Sequence, residues 1–129
     1  MTSRGDELVT VRLAGAIVQG APIDTRVAGA LVAVPREKLD ADDLVYRVAG
    51  TGLCGHGIER SDLLIVEPRS DGNAATGELV VVTLEHRTFV GRWWTKHGRR
   101  VLLDHALQTI AEGSGLCVMG AVTVVIREQ

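Results

Sequence analysis

Short stretches of alternating apolar and polar residues, rich in Val, Leu, Ile and Thr, recur along the chain with turn-forming residues between them. Alternation of this kind predicts β-strands, and a spacing of about 8–12 residues is typical of domains built from hairpins. Little of the chain has a convincing helical periodicity. We therefore predict a mostly-β fold with little helix, in which the antiparallel sheet is bent and partly closed. The stretches lie at residues 8–13, 16–18, 28–34, 78–84, 88–95, 100–104 and 115–126, with two more strands inside 43–68.

Residues 43–68 form the stretch around which the chain is organised: a strand, a tight glycine-rich corner and a second strand. Two hairpins follow, with predicted turns at Glu85-His86-Arg87 and at residues 96–99. Residues 35–40 fit one helical turn with proline at its start. Residues 106–112 fit either a short helix or an irregular loop.

The last predicted strand, within residues 115–126, is long, apolar and β-branched. A hydrophobic strand at the edge of a sheet pairs readily with another chain unless it is covered. We therefore expect a homodimer formed through this strand. The residues expected at the dimer contact are Val118, Met119, Val122 and Val124.

The length of 129 residues fits one domain. We expect residues 1–14 to be an N-terminal arm or first strand, and residues 15–129 to be a single domain. A net charge of −2 and an aromatic content of 3% disfavour direct DNA binding by this chain alone, because nucleic-acid binders carry a basic field. No apolar run has the length of a signal peptide core or a membrane span, and Cys54 and Cys117 lie far apart, so we expect a cytoplasmic protein with reduced thiols.

Four motifs keep the order and spacing of a known family. Val48-Ala-Gly-Thr-Gly-Leu is followed by Gly57-Ile-Glu-Arg-Ser-Asp-Leu-Leu-Ile-Val, where that family has Val-x-Gly-x-Ser-Met and Gly-Ile-x-x-Gly-Asp-Leu-Leu-x-Val. Gly77-Glu-Leu-Val-Val-Val, Thr88-Phe-Val-Gly-Arg-Trp and Val118-Met-Gly-Ala-Val-Thr-Val-Val-Ile follow in turn. Over residues 15–126 the chain thus resembles the self-cleaving domain of LexA-type repressors and UmuD-type polymerase accessory proteins. The resemblance implies a mostly-β, bent-sheet domain.

The resemblance also implies a catalytic pair, which this chain lacks. The family uses a serine nucleophile at the glycine-rich corner and an uncharged lysine as its general base. The serine position is Gly52 here, and the lysine position is Gly91. Because glycine supplies neither a hydroxyl nor an amine, loss of both groups costs several powers of ten in rate. We expect a pseudo-peptidase that needs no cofactor.

The family cleaves itself in a loop near the N-terminus, at an Ala-Gly or Cys-Gly bond. The counterpart of that bond here is Gln19-Gly20, in which a long amide side chain replaces the small residue. The short N-terminal region has no room for the DNA-binding domain of LexA-type repressors, so the length is closer to the UmuD type. A piece of a longer repressor is the other interpretation.

Other candidate sites have simpler explanations beside them. Cys54 and His56 suggest a displaced nucleophile and base, but no third residue that would orient them is evident. A metal site formed by these residues and Cys117 would lack a fourth ligand, so we expect no metal. The remaining histidines, His86, His97 and His105, fall in predicted turns and are expected to be exposed.

Trp93 and Trp94 are adjacent in a predicted strand, so they point to opposite faces. One indole is expected in the core, while the other is a candidate anchor for a partner or for the dimer. Arg92, Lys96, Arg99 and Arg100 form a local basic patch nearby.

Taken together, the sequence predicts a non-catalytic, dimeric module that binds an unidentified protein partner through the old cleft, in a DNA-damage (SOS) or transcriptional setting. The residues that we expect at the cleft or partner surface are Thr51, Cys54, His56, Trp93 and Trp94. The alternative is an active self-cleaving peptidase that uses Cys54 or Thr51 to cut near Gln19-Gly20.

Overall fold

The computed structural model describes residues 7–70 and 73–127. Within them the chain forms ten strands, two 3₁₀ turns and no α-helix, which confirms the predicted mostly-β fold. The 3₁₀ turns are Arg36–Lys38, which follows Pro35 as expected, and Cys54–His56. The strands are β1 (Leu8–Arg12), β2 (Gly15–Ile17), β3 (Leu31–Pro35), β4 (Leu44–Val48), β5 (Leu63–Pro68), β6 (Leu79–Leu84), β7 (Arg87–Lys96), β8 (Arg99–Leu103), β9 (Thr109–Glu112) and β10 (Cys117–Ile126).

The strands are divided between two sheets. β1 and β3 form a small antiparallel sheet, and the other eight form an open, strongly curled sheet in the order β2-β4-β5-β10-β6-β7-β8-β9. In the larger sheet β2 runs parallel to β4, whereas the other neighbouring strands are antiparallel. The bent, partly closed sheet predicted from the strand pattern is thus present.

Both predicted hairpin turns are confirmed. Glu85 and His86 join β6 to β7 with positive φ angles of 51° and 68°, and His97 and Gly98 join β7 to β8 with angles of 52° and 76°. Two successive residues with positive φ are the signature of a type I′ turn, whose twist matches that of paired strands. Residues 106–112, which fitted either a short helix or an irregular loop, form no helix: the chain turns there and then forms β9.

The expected position of the last strand at the sheet edge is wrong. β10 lies between β5 and β6, and Gly120 and Ala121 are paired on both sides. The side chains assigned to the dimer contact pack inside the chain, since Val118 belongs to one apolar cluster while Met119, Val122 and Val124 pack against two others. Beyond Ala121, β10 pairs with β5 only among the described residues. The apolar run reflects burial at the centre of the sheet.

Three apolar clusters fill the interior. The first includes Ile17, Tyr46, Leu53 and Val90 and lies against the glycine-rich corner. The second surrounds Trp93 between β6, β7, β8 and β10. The third lies where the small sheet packs on β4 and β5, and it joins β1 and β3 to the same body as the large sheet.

Candidate functional site

The glycine corner, residues 50–57, connects β4 to the loop that precedes β5. Leu53 and the following Ile58 are each only 1% exposed and pack in the first apolar cluster, so they fix the corner to the core. The 3₁₀ turn Cys54–His56 lies between them and ends at Gly57, whose φ of 76° suits glycine. The corner is thus a firmly anchored turn with a mostly exposed rim.

A buried carboxylate holds the far side of this corner. Asp62 is 1% exposed and accepts a hydrogen bond from the Glu59 backbone N–H at 2.8 Å. Arg127, just beyond β10, donates to both Asp62 carboxylate oxygens at 3.3 Å and to the Gly57 carbonyl at 3.0 Å. The side chain of Asp62 therefore has charged and neutral donors, as a buried carboxylate requires.

The segment 19–21, which contains the expected counterpart of the cleavage site, lies along β7. The Gly20 N–H donates to the Thr88 carbonyl, and the Thr88 N–H donates to the Ala21 carbonyl, each at 2.8 Å. Beside this bridge the Gln19 side chain forms two bonds with Val90: it accepts from the N–H at 2.8 Å and donates to the carbonyl at 2.9 Å. The segment therefore forms an isolated antiparallel bridge with β7, and Gln19 and Gly20 lie in the turn that leads into it.

Gly52, at the position that the resemblance assigns to a serine, lies directly against this segment. A Cβ built on Gly52 would be 2.9 Å from the Cβ of Gln19, which is closer than real Cβ atoms approach one another. Position 52 therefore has no room for a side chain while Gln19 keeps its place. The contact joins the glycine corner to the loop around Gln19-Gly20.

Gly91, at the position that the resemblance assigns to a lysine, has a different set of neighbours. A Cβ there would be 2.6 Å from the Leu103 carbonyl oxygen, 2.9 Å from Leu102 and 3.1 Å from Ile110. Leu102 and Ile110 belong to the second apolar cluster, whereas Val90 and Leu53 belong to the first. The side chain of a lysine at position 91 would start next to β8 and β9. Its Cβ would collide with the Leu103 carbonyl oxygen, so the backbone leaves no room for it.

A histidine pair lies on the other flank of the glycine corner. The His105 ring covers Gly55 so closely that a Cβ on Gly55 would be 1.9 Å from its Nδ1 atom. His56 meets the same ring edge-on, with ring centroids 6.0 Å apart. Burial lowers the pKa of His56 below 6.5, and the positive charges of Arg92 and His105 lower it further, while Asp104 acts in the opposite direction.

Asp104 shapes the loop that carries His105. Its carboxylate accepts hydrogen bonds from the backbone N–H groups of Ala106 and Gln108 at 2.8 and 2.9 Å. The bond from Gln108 is the main cause of a lowered Asp104 pKa. This turn between β8 and β9 thus presents the imidazole of His105 to the corner.

The remaining candidate residues are spread over two regions. Thr51 and Cys54 are exposed on the corner, and both cysteines are free thiols. Trp93 is buried in the second cluster and Trp94 is 40% exposed, as strand alternation predicts for adjacent residues. Across residues 7–70 and 73–127, no three His, Cys, Asp or Glu side chains are grouped closely enough to hold a metal ion.

The chain matches no known family profile and none of the curated proteins with which it was compared. Within the described part of the chain, no helix has the length and apolar character needed to cross a membrane.

Sequence reasoning missed two contacts of this site. The histidine pair joins residues that are 49 positions apart, and the paired bonds between Gln19 and Val90 join residues 71 positions apart. The sequence carried one usable signal for the second contact, because the resemblance assigns Gln19, with its long amide side chain, to a position where the family has a small residue.

Proposed function

We propose that the chain is a non-catalytic peptide-binding module of the LexA/UmuD type, with a cleft that its own segment 19–21 occupies. The observation that carries this proposal is the seat of Gln19, which lies against Gly52 and bonds both main-chain groups of Val90. A peptide from another protein that makes the same turn would gain the same hydrogen-bond partners on β7. Pairing of a peptide's main chain with an open strand edge is a common mode of peptide recognition.

The absence of a catalytic pair supports binding as the activity. Neither Gly52 nor Gly91 offers a nucleophile or a base, and Gln19 excludes any side chain from position 52. The regulatory setting, in a DNA-damage response or in transcription, rests on the resemblance of the motifs alone. The protein partner also rests on the resemblance, whereas the dimer was inferred from the apolar last strand and the cytoplasmic location from the separated cysteines and the lack of a long apolar run.

Incubation of the purified protein at alkaline pH tests the proposal, because the family cleaves itself most readily there. We expect an unchanged intact mass after prolonged incubation. A break at Gln19-Gly20 would instead favour the alternative, a peptidase that uses the exposed Cys54 or Thr51. Cys54→Ser and Thr51→Val variants would then identify the nucleophile, since only the variant of the true nucleophile stays intact.

A further inference from the structure

Four main-chain groups on one side of β7 are satisfied by segment 19–21. The N–H and C=O of Thr88 pair with backbone groups of Ala21 and Gly20. The N–H and C=O of Val90 pair with the side chain of Gln19 instead. One side-chain amide therefore forms the two hydrogen bonds that backbone groups form elsewhere in the sheet.

This replacement selects for one side-chain chemistry. A primary amide both donates and accepts hydrogen bonds, whereas a carboxylate only accepts and a thioether offers at most a weak acceptor. Glutamate at this place would direct an oxygen at the Val90 carbonyl, and methionine would leave both Val90 groups unpaired. Asparagine has the amide but is one methylene shorter, so it would not reach from the same backbone position.

The neighbours on each side define the shape of the seat. Gly52 leaves the space in which the first carbon of the Gln19 side chain lies. Gly20 has a φ of 81°, which favours glycine, and a Cβ there would meet the Phe89 ring at 3.6 Å. The seat therefore fits glutamine followed by glycine in a tight turn, in which the Ala21 N–H donates to the Val18 carbonyl at 3.1 Å.

We propose that this seat is a recognition subsite for a glutamine side chain, followed by glycine, in a peptide loop that makes the same turn and is supplied by another protein. Segment 19–21 is then a resident competitor that holds the site closed. This inference rests on the proposed function and adds the sequence class of the peptide that the site takes.

The anchoring of the segment allows it to leave without disturbing the sheet. Ala16 and Asp24 exchange both backbone hydrogen bonds at 2.9 Å, and they close a loop that contains segment 19–21. Ile17, inside that loop, is fully buried and holds its carbonyl against the Ala49 N–H. Only residues 18–22 need to move, and the short tether gives them an effective concentration on the order of millimolar. A competing peptide must overcome this advantage.

The test weakens the resident segment and offers replacements in trans. In Gln19→Met the segment keeps its length but loses both bonds to Val90. The probes are fluorescent peptides with the sequence of residues 16–22 and analogues in which Glu or Met replaces the glutamine. By anisotropy, we expect the variant to bind the glutamine peptide about tenfold more tightly than either analogue, since two hydrogen bonds are at stake.

Two controls accompany this measurement. Wild-type protein should bind the glutamine peptide at least about tenfold more weakly than Gln19→Met does, because its own segment competes. Gln108→Met changes an exposed glutamine elsewhere and should bind like wild type. If Gln19→Met does not fold, as judged by circular dichroism, the three peptides are compared on wild-type protein at millimolar concentration, where only the glutamine peptide should shift the Val90 amide resonance.

The outcomes separate the two proposals. Equal affinity for the three peptides overturns the glutamine subsite and leaves peptide binding at β7 intact. Failure of folded Gln19→Met to bind any of the peptides overturns both. Self-cleavage at Gln19-Gly20 overturns the non-catalytic function by a different measurement.

Discussion

Gly91 is confined by backbone, and this distinguishes it from Gly52. The atom nearest to a Cβ at position 91 is the Leu103 carbonyl oxygen, which belongs to a strand, whereas position 52 meets the side chain of Gln19. A loop side chain moves more easily than a paired strand. A longer side chain at position 91 would therefore require β7 and β8 to separate, and one at position 52 would require Gln19 to leave.

We expect Gly91→Ala to destabilise the fold by about 1–3 kcal/mol, the usual cost of forcing an extra carbon into a packed interior. Urea unfolding would measure the loss. Gly115→Ala is the matched control, because its Cβ would meet only the end of Leu84 at 3.4 Å, and it should change the stability much less. Equal stability of the two variants would show that β7 and β8 move apart at little cost in free energy.

The hairpins show which elements the sequence predicts well. Glu85-His86 and His97-Gly98 lie between alternating apolar runs, so each turn and its two strands are readable from adjacent residues. The place of β10 is not readable in this way. A run such as Val118-Met-Gly-Ala-Val suits either a central strand or an unprotected edge, and the choice depends on β5 and β6, which lie tens of residues away.

The same distinction applies to the candidate site. The glycine corner and segment 19–21 were predicted because motifs name their residues. The contact of His105 with Gly55 was not, because a histidine in a turn looks the same whether its ring faces solvent or another segment. Only the fold of the β8–β9 loop around Asp104 directs that ring.

The end of β10 is where a dimer through this strand would now have to form. Past Ala121 one edge of β10 has no strand beside it among the described residues, and Val125 is 39% exposed there. We expect twice the chain mass in sedimentation at micromolar concentration and a single-chain mass for Val125→Glu, because charge blunts an open edge. Leu107→Glu, at a residue 70% exposed elsewhere, should leave the mass unchanged. A single-chain mass for wild type would contradict the dimer.

Across the whole molecule, the glycine corner is held from three directions. Segment 19–21 contacts it at Gly52, the β8–β9 loop at Gly55, and Arg127 at Gly57. These contacts come from distant parts of the chain, so the corner keeps its conformation only while the whole fold is intact.

The burial of His56, with the positive charges of Arg92 and His105 near it, makes the stability of the fold depend on pH. Because folding lowers the pKa of His56 below 6.5, the unfolded chain binds more protons as the solution is acidified. The contribution of His56 to stability is therefore complete above about pH 6.5. It is lost as the pH falls through the lowered pKa of the folded state.

Urea unfolding from pH 7.5 to pH 5 measures this loss. We expect the unfolding free energy to fall on acidification, and His56→Asn to show a flatter dependence. His97→Asn, in the exposed β7–β8 turn, is the matched control and should retain the wild-type slope. An unchanged slope in His56→Asn would assign the pH dependence to other groups.

The central position of β10 also has a consequence for synthesis of the protein. β10 follows the other nine strands in sequence, yet it alone bridges β5 and β6 in the larger sheet. Before Cys117 has been synthesised, the nascent chain can form only two separate half-sheets, β2-β4-β5 and β6-β7-β8-β9. The edges of β5 and β6 that β10 later covers are then unpaired. During translation those edges are the surfaces that chaperones, or neighbouring nascent chains, would meet first.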